Sequence, residues 1–265
     1  MRSRRTHPLW LAYLWLFFGF IIAPIAIVCV VAFQNAGFVA FPIDGVSLKW
    51  FAKALTYKPF TDSLATSFMV AFLSTALALL VGTPAALALG RRETRAADAL
   101  TALLLSPLSV PLIVLGFALL FYLSRFGLGT SFVGLLVAHT VVGLPYIVRT
   151  VIAVHRAVGR ELEDAARMLG ATWLQALRHV TLPLIRPGLI GGGMLAFLIS
   201  IDNLPVSYFF SSVSTVTLPV VMLSYIESAF DPSIAALAVI QLAIALTGLL
   251  VVERVWGVRM VGRAI

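Results

Sequence analysis

The chain has 265 residues, of which 61% are hydrophobic and only 11% charged, and its mean hydropathy is +1.04. A soluble domain carries roughly a quarter of its residues as charges, so this composition excludes a water-soluble globular enzyme and points to a bilayer. The formal net charge of +8 raises nucleic acid as a partner, a question that the placement of the charges answers.

Six apolar runs approach the roughly 20 residues that a helix needs to cross about 30 Å of hydrocarbon. They cover residues 9–33, 63–89, 100–123, 132–148, 188–210 and 234–252. The first follows MRSRRTH, is longer than the roughly 7 to 15 residues of a secretory signal core, and is not followed by a small-x-small cleavage site. It is expected to remain as a span. Cys29 lies within it and is the only cysteine, so neither an intrachain disulfide nor a cysteine-based metal site can form. It reads as a small apolar packing residue.

Between the first two spans, KWFAKAL predicts a short amphipathic helix at the interface, with Lys, Trp and Phe as anchors. RRETRAAD, residues 91–98, is a turn between spans two and three. Pro84, Pro107, Pro111 and Pro145 each remove a backbone donor inside a span and predict kinks or interruptions, which a translocation path tolerates where water or neighbouring protein satisfies the freed groups. The segment 211–233 carries no Lys or Arg, and its LPVVMLSYIESAF stretch predicts a helix lying half in the membrane.

Fifteen of the nineteen basic residues share the side of the N-terminus: Arg2, Arg4 and Arg5; Arg91, Arg92 and Arg95; six arginines from Arg149 to Arg186; and Arg254, Arg259 and Arg263. Lys49, Lys53, Lys58 and Arg125 fall opposite. This asymmetry places both termini in the cytoplasm. The basicity is thereby an orientation signal, and no nucleic-acid partner is required.

The most polar stretch between spans is EDAARMLGATWLQALRHVTLPLIRPG, residues 163–188. Residues 160–169 are helix formers with Glu161, Glu163 and Asp164 in the first turns, where the helix dipole favours acids, and Gly170 is a C-terminal stop. Thr172 is an N-cap for a second short helix reaching His179, before Pro183 and Pro187 lead into the fifth span. Ala165 and Ala166 form a small-residue patch that permits close approach of another backbone.

The string Asp164-Ala165-Ala166-x3-Gly170-x9-Val180-x-Leu182-Pro183 resembles the EAA loop of the membrane subunits of bacterial ABC importers, with Asp where that family usually has Glu. HTVVGLPYIVRTV and LSPLSVPLIVLGFALL are also similar to the corresponding family segments, and the resemblance extends over about residues 62–252. It implies an all-α, polytopic fold of six transmembrane helices, the type I importer permease fold, in the bacterial inner membrane. Three regions are expected: 1–61, with the first span and external segment; a permease core, 62–252, with its cytoplasmic loop at about 157–187; and a cytoplasmic tail, 253–265.

The resemblance further implies that Glu163, Asp164, Ala165, Ala166, Gly170, Leu182 and Pro183 dock a separate ATPase. Two ATPase subunits carrying ATP and Mg, a second permease that is a homologous but different chain, and an extracytoplasmic solute-binding protein are the implied partners, with lipid around them. No cofactor is expected on this chain. None of Lys49, Lys53 and Lys58 is followed by Ser or Thr, so no G-x-x-x-x-G-K-[ST] phosphate loop exists here.

The fifth span, PGLIGGGMLAFLISIDNLPVSYFF, is interrupted by Asp202-Asn203. An acid at that depth is costly unless it faces water, a partner or a ligand, and Pro205 breaks the helix there, as in the discontinuous elements that line transport sites. Capping of a broken helix is the competing reading. Gly191, Gly192 and Gly193 read as a helix-packing surface. IDNLPVSYFF and the later TLPVVMLSYI resemble the spermidine/putrescine branch of the permeases. Asp202, Asn203, Tyr208 and Tyr225 are then candidates on a path for a cation, through charge and cation–π contact. A permease for another small organic solute, such as an amino-acid-like compound, and an ATP-independent carrier are the alternatives.

An intramembrane enzyme is disfavoured. There is no H-E-x-x-H, and His7, His139, His155 and His179 are scattered and read as interfacial or packing residues, so no catalytic or metal-binding set is expected.

Overall fold

The structure, a computed structural model, describes residues 8–39, 41–212, 215–229 and 231–256. Arg2, Arg4, Arg5, His7, Arg259 and Arg263, and the tail from residue 257, lie outside the described residues, as does Phe230 at the end of LPVVMLSYIESAF.

Among the described residues twelve α-helices follow one another: α1 (Pro8–Val31), α2 (Lys49–Thr56), α3 (Lys58–Gly90), α4 (Arg95–Leu105), α5 (Leu112–Ser124), α6 (Phe132–Ala157), α7 (Glu161–Met168), α8 (Trp173–Ala176), α9 (Leu182–Ile201), α10 (Leu204–Phe210), α11 (Leu218–Ser228) and α12 (Ser233–Trp256). A 3₁₀ turn, Ser106–Ser109, follows α4, and a π turn, Leu177–Thr181, joins α8 to α9. Among the described residues the only β pairing is one antiparallel bridge, Gln34 with Val46. Among the described residues five helices are long and apolar enough to cross a bilayer, or six when the bent pair α4 and α5 is counted as one span.

The prolines act unequally. Pro84 and Pro145 sit inside unbroken helices, α3 and α6. Pro107 lies within the 3₁₀ turn and Pro111 two residues beyond it, where the third span bends by 110°. Here Pro111 is the N-cap of α5, outside the helical hydrogen-bond ladder that its ring would disrupt. The expected stop before Pro183 also does not occur. Pro183 directly follows the π turn at the head of α9 and Pro187 is inside it, and one continuous helical stretch runs from Trp173 to Ile201.

The chain forms two compact units, Asp62–Val221 and Met1–Thr61 with Met222–Ile265, whose boundaries fall within α3 and α11. In the larger unit, α3, α6 and α9 share a core of Ala78, Ala86, Ile147, Val148, Val151, Ile152, Ile185 and Ala196. A second core joins α3, α5, α6 and α10 through Val70, Leu123, Leu135, Ala138, Val142, Val206 and Phe210. Lipid supplies no hydrophobic drive for helices to associate, so close packing of small residues has to do it. Gly192 is the clearest case: a Cβ there would lie 2.2 Å from Thr150 Oγ1 and 2.9 Å from the Ile147 Cα. Gly191 faces open space, and Gly193 would make only ordinary contact with Leu79. The expected packing surface therefore reduces to one glycine at the α6 crossing.

In the smaller unit, α12 packs against α1 and α2. α1 is apolar on every face and largely exposed, as suits a helix whose solvent is lipid. The amphipathic KWFAKAL helix forms as α2, and its Trp50 is buried with the indole N–H donating to the Gln34 carbonyl at 2.7 Å.

Candidate functional site

The residues singled out in the loop occupy α7, the Gly170 turn and the start of α9. α7 ends in paired hydrogen bonds: Ala171 N–H to the Ala166 carbonyl at 3.0 Å and Gly170 N–H to the Arg167 carbonyl at 2.9 Å. This is a Schellman ending, and it needs a residue in the left-handed region. Gly170, with φ of +94°, supplies it. α8 then starts from a capping box in which Thr172 Oγ1 accepts from Gln175 N–H and Gln175 Oε1 accepts from Thr172 N–H.

The reversal at Gly170 turns large apolar side chains outward. Met168 is 89% exposed and Leu169 90% exposed, with Leu162, Trp173 and Leu174 also exposed. Asp164, Ala165 and Pro183 are also exposed, whereas Ala166 and Leu182 are half-buried. The sequence pattern drew attention to the acid, the alanines and the glycine and missed the apolar residues, although Met-Leu before a glycine stop is the signal that would have found them.

Glu163 faces the other way. Its Oε2 accepts from Arg91 Nη1 at 2.8 Å and its Oε1 from Thr181 Oγ1 at 2.8 Å. Arg91, just past the end of α3, also donates from Nη2 to the carbonyls of Val158 at 2.8 Å and His155 at 3.2 Å, satisfying acceptors left free at the end of α6. Arg156 donates to the Gly90 carbonyl at 2.5 Å and Arg160 to the Arg91 carbonyl at 2.6 Å. Arg91, His155, Arg160, Glu163 and Thr181 line a cavity of about 860 Å³, whose α3 wall includes Leu79, Leu80 and Leu87.

At the other candidate site, α9 ends at Ile201 and α10 starts from Asn203, whose Oδ1 accepts from Val206 N–H at 3.1 Å. Asn203 is buried and acts as a cap, whereas the adjacent Asp202 and Tyr208 are exposed. Across the break lies a polar network that the sequence did not reveal. His139 on α6 is 1% exposed, and its two ring nitrogens contact Ser200 Oγ at 2.7 Å and Ser207 Oγ at 3.0 Å, one on each side of the break. Ser74 Oγ on α3 adds a 3.1 Å bond to Ser200. An imidazole carrying one proton donates at one nitrogen and accepts at the other, so it can join both half-helices without leaving an unpaired polar atom of its own.

Tyr225 is in the smaller unit and already has partners. Its hydroxyl donates to Asp231 Oδ2 at 2.9 Å, Lys53 Nζ lies 2.5 Å from the same oxygen, and the ammonium sits 5.4 Å from the Tyr225 ring and 5.5 Å from that of Trp50. The hydrogen bond to Asp231, and then that to Tyr225, holds the Lys53 ammonium above its ordinary pKa of 10.5. Burial pushes Asp231 up, but the bonds from Lys53, Ser233 and Tyr225 outweigh it and hold the carboxyl below its ordinary 3.8. Among the described residues no group of His, Cys, Asp and Glu is placed to hold a metal ion.

Residues 78–258, more than half of the chain, match the family described as "Binding-protein-dependent transport system inner membrane component". The chain is 30% identical over 235 residues to the spermidine/putrescine transport system permease protein PotC of Haemophilus influenzae, covering 89% of this chain and 91% of that protein. It is 28% identical to the putrescine transport system permease protein PotI of Escherichia coli, covering 87% and 85%. Its fold matches a chain of a bacterial ABC transporter involved in the import of the acidic polysaccharide alginate, with a TM-score of 0.67 at 17% identity over 97% of this chain and 98% of that one. The chain belongs to the binding-protein-dependent transport system inner membrane components, and is a multi-pass permease subunit of an ABC importer.

Proposed function

We propose that this chain forms half of the translocation path of an ATP-driven polyamine importer and receives the work of ATP hydrolysis through residues 163–183. Hydrolysis belongs to two partner ATPase subunits, with ATP and Mg bound there. A homologous second permease completes the path, and an extracytoplasmic binding protein delivers the solute. Both termini and the α7–α8 loop lie on the cytoplasmic side, as the arginine asymmetry requires.

The observation that carries the docking reading is the apolar knob at the Gly170 turn. Two side chains about 90% exposed, Met168 and Leu169, on a polar loop with an exposed Asp164 and two alanines, form a surface that suits a partner's cleft. The polyamine reading rests on the names of the relatives and on Asp202 and Tyr208, an exposed carboxylate and an exposed aromatic ring at the helix break. Together they offer charge and cation–π contact to an amine. Asn203 supports the break as a cap, and Tyr225 is engaged by Lys53.

Purification of the tagged chain with its co-eluting subunits, followed by reconstitution and uptake of labelled spermidine or putrescine, tests both parts. ATP-dependent uptake in the presence of a co-purified ATPase is expected. Uptake without ATP would make the chain an ion-driven or passive carrier, and ATP-driven uptake that ignores both amines would overturn the choice of solute.

A further inference from the structure

Resting on the docking reading above, we infer that Arg91, Glu163 and Thr181 form a clasp that passes displacement of the α7–α8 loop to α3 and α9. They are positioning residues for coupling, distinct from the apolar side chains that meet the partner.

α7 has two working faces. Met168 and Leu169 project outward, while Glu163 projects inward and spends both carboxylate oxygens on different elements: Oε2 on Arg91 at the end of α3 and Oε1 on Thr181 at the head of α9, each at 2.8 Å. Arg91 in turn holds the end of α6 through the Val158 and His155 carbonyls. One carboxylate thus joins the loop to three long helices. The side chains of Arg91 and Glu163 are only 12% and 24% exposed, so the pair is sheltered from the screening that makes surface ion pairs weak.

Thr181 closes the π turn Leu177–Thr181. A π turn holds one residue more than an α-helical turn and recurs at functional sites. We read it as the place where the helix can change register, so that a pull on Thr181 is accommodated there and drawn into α9 as movement. Arg91, by contrast, is attached to an uninterrupted α3, which would carry the same pull as a rigid rod.

The test uses the assembled importer in a Cys29→Ser background with Leu80→Cys as the reporter. Leu80 lies on α3 three turns before Arg91 and is 70% exposed on the cavity wall. The rate of maleimide labelling is measured with and without a non-hydrolysable ATP analogue. With an intact clasp, nucleotide should change the rate by about tenfold. Glu163→Gln, which removes the charge, and Thr181→Val, which removes only the hydroxyl, should abolish that change while the ATPase still co-purifies in the normal ratio. Combining Arg91→Glu with Glu163→Arg should restore part of the response.

An unaltered nucleotide response in Thr181→Val and Glu163→Gln would overturn the inference. So would loss of the ATPase from those variants, since the clasp would then only shape the docking surface. An intact clasp that transmits nothing, with the ATPase bound, would overturn it too. Failure of the unmodified chain to bind any ATPase would instead sink the docking reading itself.

Discussion

Replacing Gly192 and Gly191 in turn by alanine separates packing from helix propensity within a single turn of α9. A methyl at residue 191 meets nothing within 4 Å, so only the propensity gain of about 1 kcal/mol for alanine over glycine applies. At residue 192 the same methyl falls 2.2 Å from Thr150 Oγ1 and 2.9 Å from the Ile147 Cα. The hydroxyl can rotate away by giving up its bond to the Tyr146 carbonyl, but a backbone carbon moves only if α6 and α9 separate. Overpacking of this kind costs about 1–3 kcal/mol. Alanine brings the same propensity gain at both positions, so the two substitutions should differ by the overpacking cost alone, about 1–3 kcal/mol, with Gly191→Ala the more stable. Reversible unfolding in mixed micelles, followed by circular dichroism, measures the gap. Adding Thr150→Ala to Gly192→Ala should recover only part of the loss, because the Ile147 contact remains. Equal stability of the two single variants would refute the close α6–α9 crossing at Gly192.

Gly170→Val leaves a β-branched residue at φ of +94°, at a cost of about 1–2 kcal/mol or more. Insertion should be normal while ATPase co-purification and uptake fall, and wild-type uptake at equal expression would contradict the docking role. Asp202→Asn keeps size and most capping ability but loses charge, so spermidine uptake should slow without loss of folded protein; unchanged uptake would return Asp202 to a structural role. The Lys53–Asp231 pair should act fully between about pH 5 and 9. Its Asp231 contribution is lost as acid takes the pH below 3.8 and through the depressed folded pKa, and its Lys53 contribution as alkali takes it above 10.5 and through the raised one. With the Lys53 side chain 38% exposed, Asp231→Asn should cost under about 1 kcal/mol at pH 7, and this difference should shrink in acid below pH 3.8. A difference that grew in acid would reverse the assigned direction.

Much of the fold was legible because bilayer physics writes directly on sequence. Each predicted apolar run became one of the long helices, except that the third became the bent α4 and α5 and the fifth the broken α9 and α10. KWFAKAL became α2, and the DN-x-P interruption became the break between α9 and α10. Boundaries were less legible: α3 extends to Lys58 and α6 to Ala157, since a hydropathy pattern stops at the last apolar residue while a helix continues into polar turns. The short helix is expected to end at His179, before Pro183 and Pro187, because prolines commonly follow a helix end, and only the π turn Leu177–Thr181 carries the helix on into α9.

In the candidate sites, local signals were readable and distant partnerships were not. Gly170 and Thr172 announced their turn and cap through residue type. Nothing near Glu163 in sequence points to Arg91, 72 residues away, and so the sequence placed Glu163 with the docking residues. His139 looked like a packing residue because its serine partners lie 61 and 68 residues away, on another span.

A photoreactive amino acid placed at Leu169, in the importer isolated with its partners, tests the docking claim most directly. The 90% exposed side chain should cross-link to the ATPase subunit on illumination, and the same probe at Leu80 on α3 should not. An intact complex in which Leu169 yields no ATPase adduct, or labels only lipid, would contradict the assignment of the α7–α8 loop as the point where ATP hydrolysis meets the membrane.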